Sequence, residues 1–176
     1  MTSTTSTVPS GAYALDPIHS SIGFALTYNG AGKFRNRFDA LDARLEDGVL
    51  VGSADVTSIG VDEPHFRDHL MGAEFFDAET TPSITFRSTE ITLGEEDHVT
   101  VTGELTIRGT TRTVVGEGVL VAATDAMGKD RATFTLVTTV DRRDFGMTWQ
   151  MALPGGGDSL GYDVEITLDL ALVKQG

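Results

Sequence analysis

Apolar and polar residues alternate with a period of two along most of this chain, and this pattern predicts β-strands. The alternation is clearest over residues 22–28, 41–45, 99–107, 132–140 and 160–172. Short sequences rich in Gly, Asp and Asn separate these stretches, as expected for turns between antiparallel neighbours. The pattern accommodates about eight strands, and each strand has one apolar face.

Closure of these strands into a barrel is the predicted fold, because closure buries the apolar face and leaves no open sheet edge. We therefore predict an all-β protein, an eight-stranded antiparallel β-barrel that forms one domain over residues 11–176. Residues 1–10 are expected to be a disordered polar leader. A two-sheet sandwich has the same strand pattern and is the alternative. A one-residue change of phase between Arg87 and Glu90 predicts a β-bulge.

One short helical insertion between strands is predicted over residues 62–71. Asp62 can cap its first turn, and Phe66 and Leu70 lie four residues apart on one face. Gly72 is expected to end the helix in the left-handed conformation. A helix of this length is not stable alone in water, so its apolar face must pack against the barrel.

The formal charge is 13 − 26 = −13, which argues against binding to nucleic acid and against docking on anionic lipid. The chain has no cysteine, which excludes disulfides and thiolate metal sites. Its N-terminal stretch lacks the basic and apolar segments of a signal peptide, and no apolar run is long enough for a membrane span. We therefore expect a cytoplasmic protein without stable membrane insertion.

Two histidines are the only candidate for metal chemistry in the sequence. His65 and His69 are four residues apart, a spacing at which two imidazoles can share a metal ion. A zinc-peptidase helix would place Glu after the first histidine, where this chain has Phe66. A metal-dependent hydrolase or dioxygenase-like enzyme using His65 and His69 is therefore the alternative function. The preferred interpretation has no metal site, no catalytic residues and no enzyme activity.

The apolar interior of the barrel is the remaining candidate for function. Eight-stranded barrels are either filled by their own side chains or hold one small ligand. Periodicity does not distinguish the two, because a cavity wall and a packed core show the same alternation.

Several motifs, in order along residues 13–173, resemble those of the YceI-like proteins. They are Asp-Pro-Ile-His-Ser-Ser-Ile-Gly-Phe at 16–24, His-Leu through Phe-Phe-Asp at 69–77, Pro-Ser-Ile-Thr-Phe at 82–86, Thr-Gly-Glu-Leu-Thr-Ile-Arg-Gly at 102–109 and Arg-Arg-Asp-Phe-Gly at 142–146. This family often has a histidine where the chain has Tyr28.

The resemblance implies an extended lipocalin-like barrel whose interior binds long apolar lipids, notably polyisoprenoids such as quinone tails. It therefore predicts a non-catalytic binding or carrier protein for a long-chain isoprenoid or similar fatty amphiphile. A polyprenyl chain or isoprenoid quinone is the expected bound lipid, and no other cofactor is expected. A homodimer is compatible with the sequence.

The ligand-binding residues predicted on this basis fall into two groups. The walls of the lumen are expected to come from the last strand and from Phe24, Leu26, Phe86, Leu105, Phe134 and Leu136. The mouth is expected to come from Phe66, Leu70, Phe75, Phe76, Phe145 and Trp149.

Overall fold

A computed structural model describes residues 7–176, and these residues form ten β-strands, one α-helix and two short 3₁₀ helices. The helix α1 spans Pro64–Met71, and the 3₁₀ helices span Val56–Ser58 and Arg142–Phe145. The strands are β1 (Ala12–Leu15), β2 (Ser21–Tyr28), β3 (Gly32–Phe38), β4 (Leu41–Glu46), β5 (Val49–Asp55), β6 (Ser83–Leu93), β7 (His98–Ile107), β8 (Thr110–Thr124), β9 (Asp130–Asp141) and β10 (Asp163–Lys174).

The disordered leader predicted over residues 1–10 lies mostly outside the described residues. Residues 7–10 have no regular secondary structure, and Val8 packs against the hydrophobic core.

The ten strands close into a barrel with eight strand positions. β1 and β2 lie end to end along one edge of β10, where β1 pairs with Leu172–Lys174 and β2 pairs with Glu165–Asp169. β4 and β3 share the next position, with β4 beside β1 and β3 beside β2. The order β1-β4-β5-β6-β7-β8-β9-β10 then returns to β1, and every pairing is antiparallel. The predicted eight-stranded barrel is confirmed, and the sandwich alternative is wrong.

The core divides into two clusters along the barrel axis. The floor cluster lies at the end where the 94–98 and 125–129 turns and the chain's C-terminus meet. Its most deeply buried members are Leu45, Val99, Leu120, Ala132, Phe134 and Leu172. The mouth cluster lies at the other end, beneath α1 and the two 3₁₀ helices, and includes Phe38, Val56, Ile59, Leu70, Phe75 and Phe145. Phe86 packs against both clusters.

The helix is confirmed and ends at Met71 as predicted, but its N-cap residue and the conformation of Gly72 differ from the prediction. Glu63, not Asp62, is the N-cap, and its carboxylate accepts hydrogen bonds from the N–H groups of His65 (3.2 Å) and Phe66 (2.6 Å). The reason is Pro64, which forces the residue before it into an extended conformation and so places the cap there. Gly72 is extended (φ −76°, ψ 175°) rather than left-handed. No helix within residues 7–176 is long and apolar enough to cross a bilayer.

The predicted bulge is also confirmed. The register of β6 against β7 shifts between Ser88 and Glu90. The buried hydroxyl of Ser88 accepts a hydrogen bond from the N–H of Leu50 at 2.8 Å, which ties the bulge to β5.

A network of ion pairs fastens two loops at the floor end. Arg131 donates from Nη1 to Asp16 Oδ2 (2.9 Å) and from Nε to Asp125 Oδ2 (2.6 Å), and His19 Nδ1 lies 2.8 Å from the same Asp16 oxygen. The hydrogen bond from Arg131, with help from the N–H of Lys129, lowers the pKa of Asp125 from 3.8 to about 2. His19 first and Arg131 second lower the pKa of Asp16 well below its ordinary value. The network joins the 16–20 loop to the β8–β9 turn.

The first prediction concerns the acid stability of this network. Both carboxyls have folded pKa values below their unfolded values, so their stabilisation is present above about pH 4 and is lost as the pH falls towards 2. Arg131→Gln should lower the free energy of unfolding at neutral pH and flatten its fall between about pH 4 and pH 2, measured by urea denaturation. Arg44→Gln is the control, because Arg44 is exposed and forms no ion pair within residues 7–176. An unchanged pH profile in Arg131→Gln would contradict the assignment.

Candidate functional site

The barrel encloses a cavity of about 560 Å³ whose lining is almost entirely apolar. The cavity begins on the floor cluster, at Leu50, Val101, Leu136 and Leu170, and rises to the mouth cluster. Its volume lies in the range of pockets that hold small molecules, and its lining resembles the walls of such pockets.

Small inward-facing residues at mid-height create this space. Ala43 on β4, Gly52 and Ala54 on β5 and Gly116 on β8 all line the cavity. A Cβ atom placed on Gly116 would fit without a clash, because its nearest neighbours, on Leu136, Val101 and Val137, would lie at 3.8–3.9 Å, an ordinary van der Waals distance. Larger side chains at the same levels would fill the lumen, as they fill the floor.

The mouth is where the sheet is incomplete. Within the described residues β3 has a strand partner on one edge only, and its other edge makes a single bridge from Phe38 to Ile59. α1 lies against this gap and is fixed there by Arg67, whose guanidinium donates to the carbonyl oxygens of Ile59 (3.0 Å) and Thr57. Leu70 is the buried residue of the helix. The helix therefore covers the opening that a longer β5 would have closed.

A chain of aromatic contacts runs along the incomplete edge. Phe66 on α1 packs edge-to-face on Phe34 with ring centroids 5.4 Å apart, and Phe34 packs in the same way on Phe24 at 5.9 Å. Phe24 contacts Phe38 at 5.5 Å, which contacts Phe76 at 5.7 Å. These centroid separations are those of favourable aromatic pairs. Side-chain packing thus joins the helix to β2 and β3 where backbone hydrogen bonds do not.

Arg142 is the one buried charge beside the cavity among the described residues, with 2% of its surface exposed. Its guanidinium donates to three carbonyl oxygens, those of Gly161 (Nε, 2.9 Å), Met147 (Nη1, 2.7 Å) and Leu160 (Nη2, 3.2 Å). It also lies 4.6 Å from the centre of the Tyr162 ring. Burial lowers the pKa of Arg142 below its ordinary value.

Other polar groups border the cavity at its rim. Tyr28, Lys33 and Ser159 lie at the end of the β2–β3 hairpin and on the segment that bridges to it. His69 also borders the rim, and its Nε2 atom lies 2.9 Å from Glu74 Oε2. The His69 ring packs edge-on against Phe75 and Trp149.

The structure brings together all but one of the predicted ligand-binding residues. Phe134 is fully buried in the floor cluster and lies below the cavity rather than on its wall. The others line the cavity: Phe24, Leu26, Phe66, Leu70, Phe75, Phe76, Phe86, Leu105, Leu136, Phe145 and Trp149. Contact of these residues with a ligand stays a prediction.

The two candidate metal ligands, His65 and His69, lie in different environments. His65 is exposed on the first turn of α1, whereas His69 is half-buried between aromatic rings and Glu74. Within residues 7–176, no three His, Cys, Asp or Glu side chains are grouped so that they could share a metal ion.

Several lining residues were missed by the sequence analysis. Phe34 and Phe38 alternate with Lys33, Arg35 and Arg37 along β3, and this strict period of two was the signal that could have found them. Arg142 gave no such signal, because an arginine beside a turn is typical of a protein surface.

The fold and cavity together define a closed antiparallel barrel with an apolar lumen and a helix across its mouth. A family profile described as the YceI-like domain matches residues 13–172, which is most of the chain. The chain therefore belongs to the YceI-like family, as its motifs predicted.

The relatives of this chain agree with that assignment. It is 28% identical to a UPF0312 protein of Vibrio cholerae over 154 residues, which are 80% of this chain and 82% of the relative. It is 28% identical to a UPF0312 protein of Staphylococcus aureus over 165 residues, 87% of this chain and 92% of that protein.

Two solved structures have the same fold. Burkholderia cenocepacia BcnA matches with a TM-score of 0.70 and 22% identity, covering 89% of this chain and 98% of BcnA. A polyisoprenoid binding domain from Saccharophagus degradans, implicated in plant cell wall breakdown, matches with a TM-score of 0.69 and 15% identity, covering 93% of this chain and 98% of that domain. At these identities the likeness shows the fold.

The second prediction tests whether the space in front of Gly116 belongs to a binding site. Gly116→Leu should place a side chain in the lumen and lower affinity for the neutral probe N-phenyl-1-naphthylamine roughly five- to hundredfold, because overpacking costs about 1–3 kcal/mol. Fluorescence titration measures the affinity. Val115→Leu is the matched control, since Val115 directly precedes Gly116 on β8 and is 48% exposed on the outer face. Equal probe affinity in the two variants would show that the probe binds elsewhere.

Proposed function

We propose that this protein is a non-catalytic binding or carrier protein for a long-chain isoprenoid or similar fatty amphiphile, whose chain lies in the barrel lumen. The observation that carries the proposal is the apolar cavity of about 560 Å³, kept open by small residues at mid-height. The Saccharophagus degradans domain of the same fold is described as polyisoprenoid binding, which supports the same class of ligand. A polyprenyl chain or isoprenoid quinone is the proposed natural lipid.

The energetics of burial favour a carrier that exchanges its ligand with membranes. Each methylene removed from water contributes about 0.8 kcal/mol, so a long chain taken from water would be held almost irreversibly. A lipid taken from a bilayer is already out of water, and its transfer into an apolar lumen is nearly neutral in hydrophobic terms. Selectivity must then come from the shape of the lumen and from the few polar groups at its rim.

The proposal includes no catalytic step. The alternative enzyme would use His65 and His69, and the environment of these two residues gives that alternative no specific support. A cytoplasmic location and a homodimer stay predictions from the sequence.

The third prediction is that protein expressed in bacteria carries co-purified lipid. An apolar cavity of this size is costly when empty and does not readily hold water, so it should be filled during expression. Native mass spectrometry should show a mass above that of the polypeptide, and an organic extract should contain the lipid. Elemental analysis of the same sample tests the enzyme alternative. A bare polypeptide mass with an empty extract would count against the carrier, and one zinc or iron per chain, lost in His65→Ala/His69→Ala, would favour the enzyme.

The fourth prediction concerns α1 as a lid. Leu70→Asp would place an unpaired charge against the mouth cluster, which the helix can relieve only by moving away from the barrel. Lipid occupancy should fall roughly tenfold or more, since a buried unpaired charge costs more than the ~1.4 kcal/mol that equals a factor of ten. The circular dichroism spectrum should stay that of a β-protein, because the sheet hydrogen bonds do not involve α1.

His65→Asp is the control for this lid variant. It adds the same charge to an exposed position in the first turn, where an acidic residue is favourable. It should retain its lipid. Full occupancy in Leu70→Asp would show that the helix does not retain the ligand, and failure of that variant to fold would show that Leu70 is part of the essential core.

A further inference from the structure

Arg142 is a buried positive charge that its surroundings offset only in part, because Asp141 and Asp158 act on it electrostatically from beyond ion-pair distance. No carboxylate forms an ion pair with it within residues 7–176, and residues 1–6 contain no Asp or Glu. The neighbouring Asp141 is held by Arg143, with Nη2 to Oδ2 at 2.6 Å and Nε to Oδ1 at 3.0 Å. Burial of an unpaired charge is expensive, so this arrangement needs an explanation.

The three hydrogen bonds from Arg142 to carbonyl oxygens use only some of its N–H donors. A guanidinium has five N–H groups, and three of them are used by Gly161, Met147 and Leu160, which leaves 5 − 3 = 2 without an acceptor in the described chain. Carbonyl groups supply partial charge and hold the 147–161 segment in place, but they do not neutralise the cation. The residue also borders the lumen.

The charge of the cavity lining points in the same direction. Within residues 7–176, Arg142 is the lining side chain that is both charged and buried. Lys33 and Asp42 are exposed, on the outward positions of β3 and β4. The buried charge beside the lumen is therefore positive, which complements a negatively charged ligand group.

The position of Arg142 also fits a head group rather than a tail. Its acceptors Leu160 and Gly161 adjoin the β2–β3 hairpin, because Tyr28 bridges to Leu160 and Gly161 donates to Thr27. This is the mouth of the lumen, whereas the floor below it is closed and apolar. A chain that entered tail first would bring its head to this level.

We propose that Arg142 binds an anionic head group, a carboxylate or a phosphate, so that the preferred ligands are acidic amphiphiles with a long apolar chain. This proposal rests on the proposed function, since it assigns the head-group class of the same ligand. The guanidinium can form two hydrogen bonds with such a group, which is the geometry that arginine offers to carboxylate and phosphate.

The experiment compares ligands that share one chain and differ only in the head. Hexadecanoate, hexadecyl phosphate and hexadecan-1-ol would each displace N-phenyl-1-naphthylamine from delipidated protein at neutral pH and submicellar concentration. A charge-assisted hydrogen bond corresponds to roughly a ten- to hundredfold gain in affinity, so at least one anion should bind more tightly than the alcohol by that factor. Comparison of the two anions shows whether the site prefers a carboxylate or a phosphate head group.

Variants separate head-group binding from a purely structural role. Arg142→Met should reduce the anion-to-alcohol affinity ratio to about one, whereas Arg142→Lys, which keeps the charge, should retain part of it. Arg143→Met is the control and should leave the ratio unchanged, because Arg143 is paired with Asp141 outside the cavity.

Each outcome decides the question. A wild-type ratio near one would overturn the head-group proposal while leaving the carrier function intact, and this result does not depend on whether a variant folds. An unchanged ratio in Arg142→Met, with all affinities lowered together, would show that Arg142 only fastens the 147–161 segment. Absence of binding for all three ligands in the wild-type protein would overturn the carrier function itself.

Discussion

Pairing of β10 along both of its edges is the interaction on which the rest of the structure depends. One edge pairs with β9 over residues 163–173, and the other is shared by β1 and β2. The break between β1 and β2 falls at residues 16–20, where the N–H of Asp16 still bonds to the carbonyl of Ala171. The barrel is therefore fully closed only at the floor end. At the other end β3 pairs with β2 alone within the described residues, and the helix and aromatic side chains replace the missing strand on its second edge.

This difference between the two ends determines where a ligand can lie. The floor is filled by side chains, with Leu45, Leu120 and Phe134 fully buried. Above the floor, Gly52 and Gly116 occupy inward-facing positions without a side chain, and the cavity begins there. An empty apolar cavity weakens the folded state in proportion to its volume, so a bound chain that restores the lost contacts also stabilises the barrel by mass action. Ligand binding and fold stability are thus coupled in this architecture.

The sequence predicted the barrel because alternation is a direct consequence of strand geometry, but alternation carries no information about height along the barrel axis. Phe134 and Leu136 have the same phase on β9, yet the first lies in the floor and the second on the cavity wall. The cap at Glu63 was missed because the effect of Pro64 on the preceding residue outweighs the side-chain preference of Asp62. Arg142 was beyond prediction, since its burial results from three carbonyls that the chain brings together only on folding.

The incomplete edge of β3 has a consequence for the behaviour of the protein in solution. A barrel that admits a large ligand through its wall cannot pair every strand, and an unpaired strand is a template for association with other chains. Here that strand carries Lys33, Arg35 and Arg37 at three successive outward positions. Two such edges would repel each other on approach, and desolvating their charges would be unfavourable. The incomplete edge is thereby protected from edge-to-edge aggregation, whether or not the lumen holds a ligand.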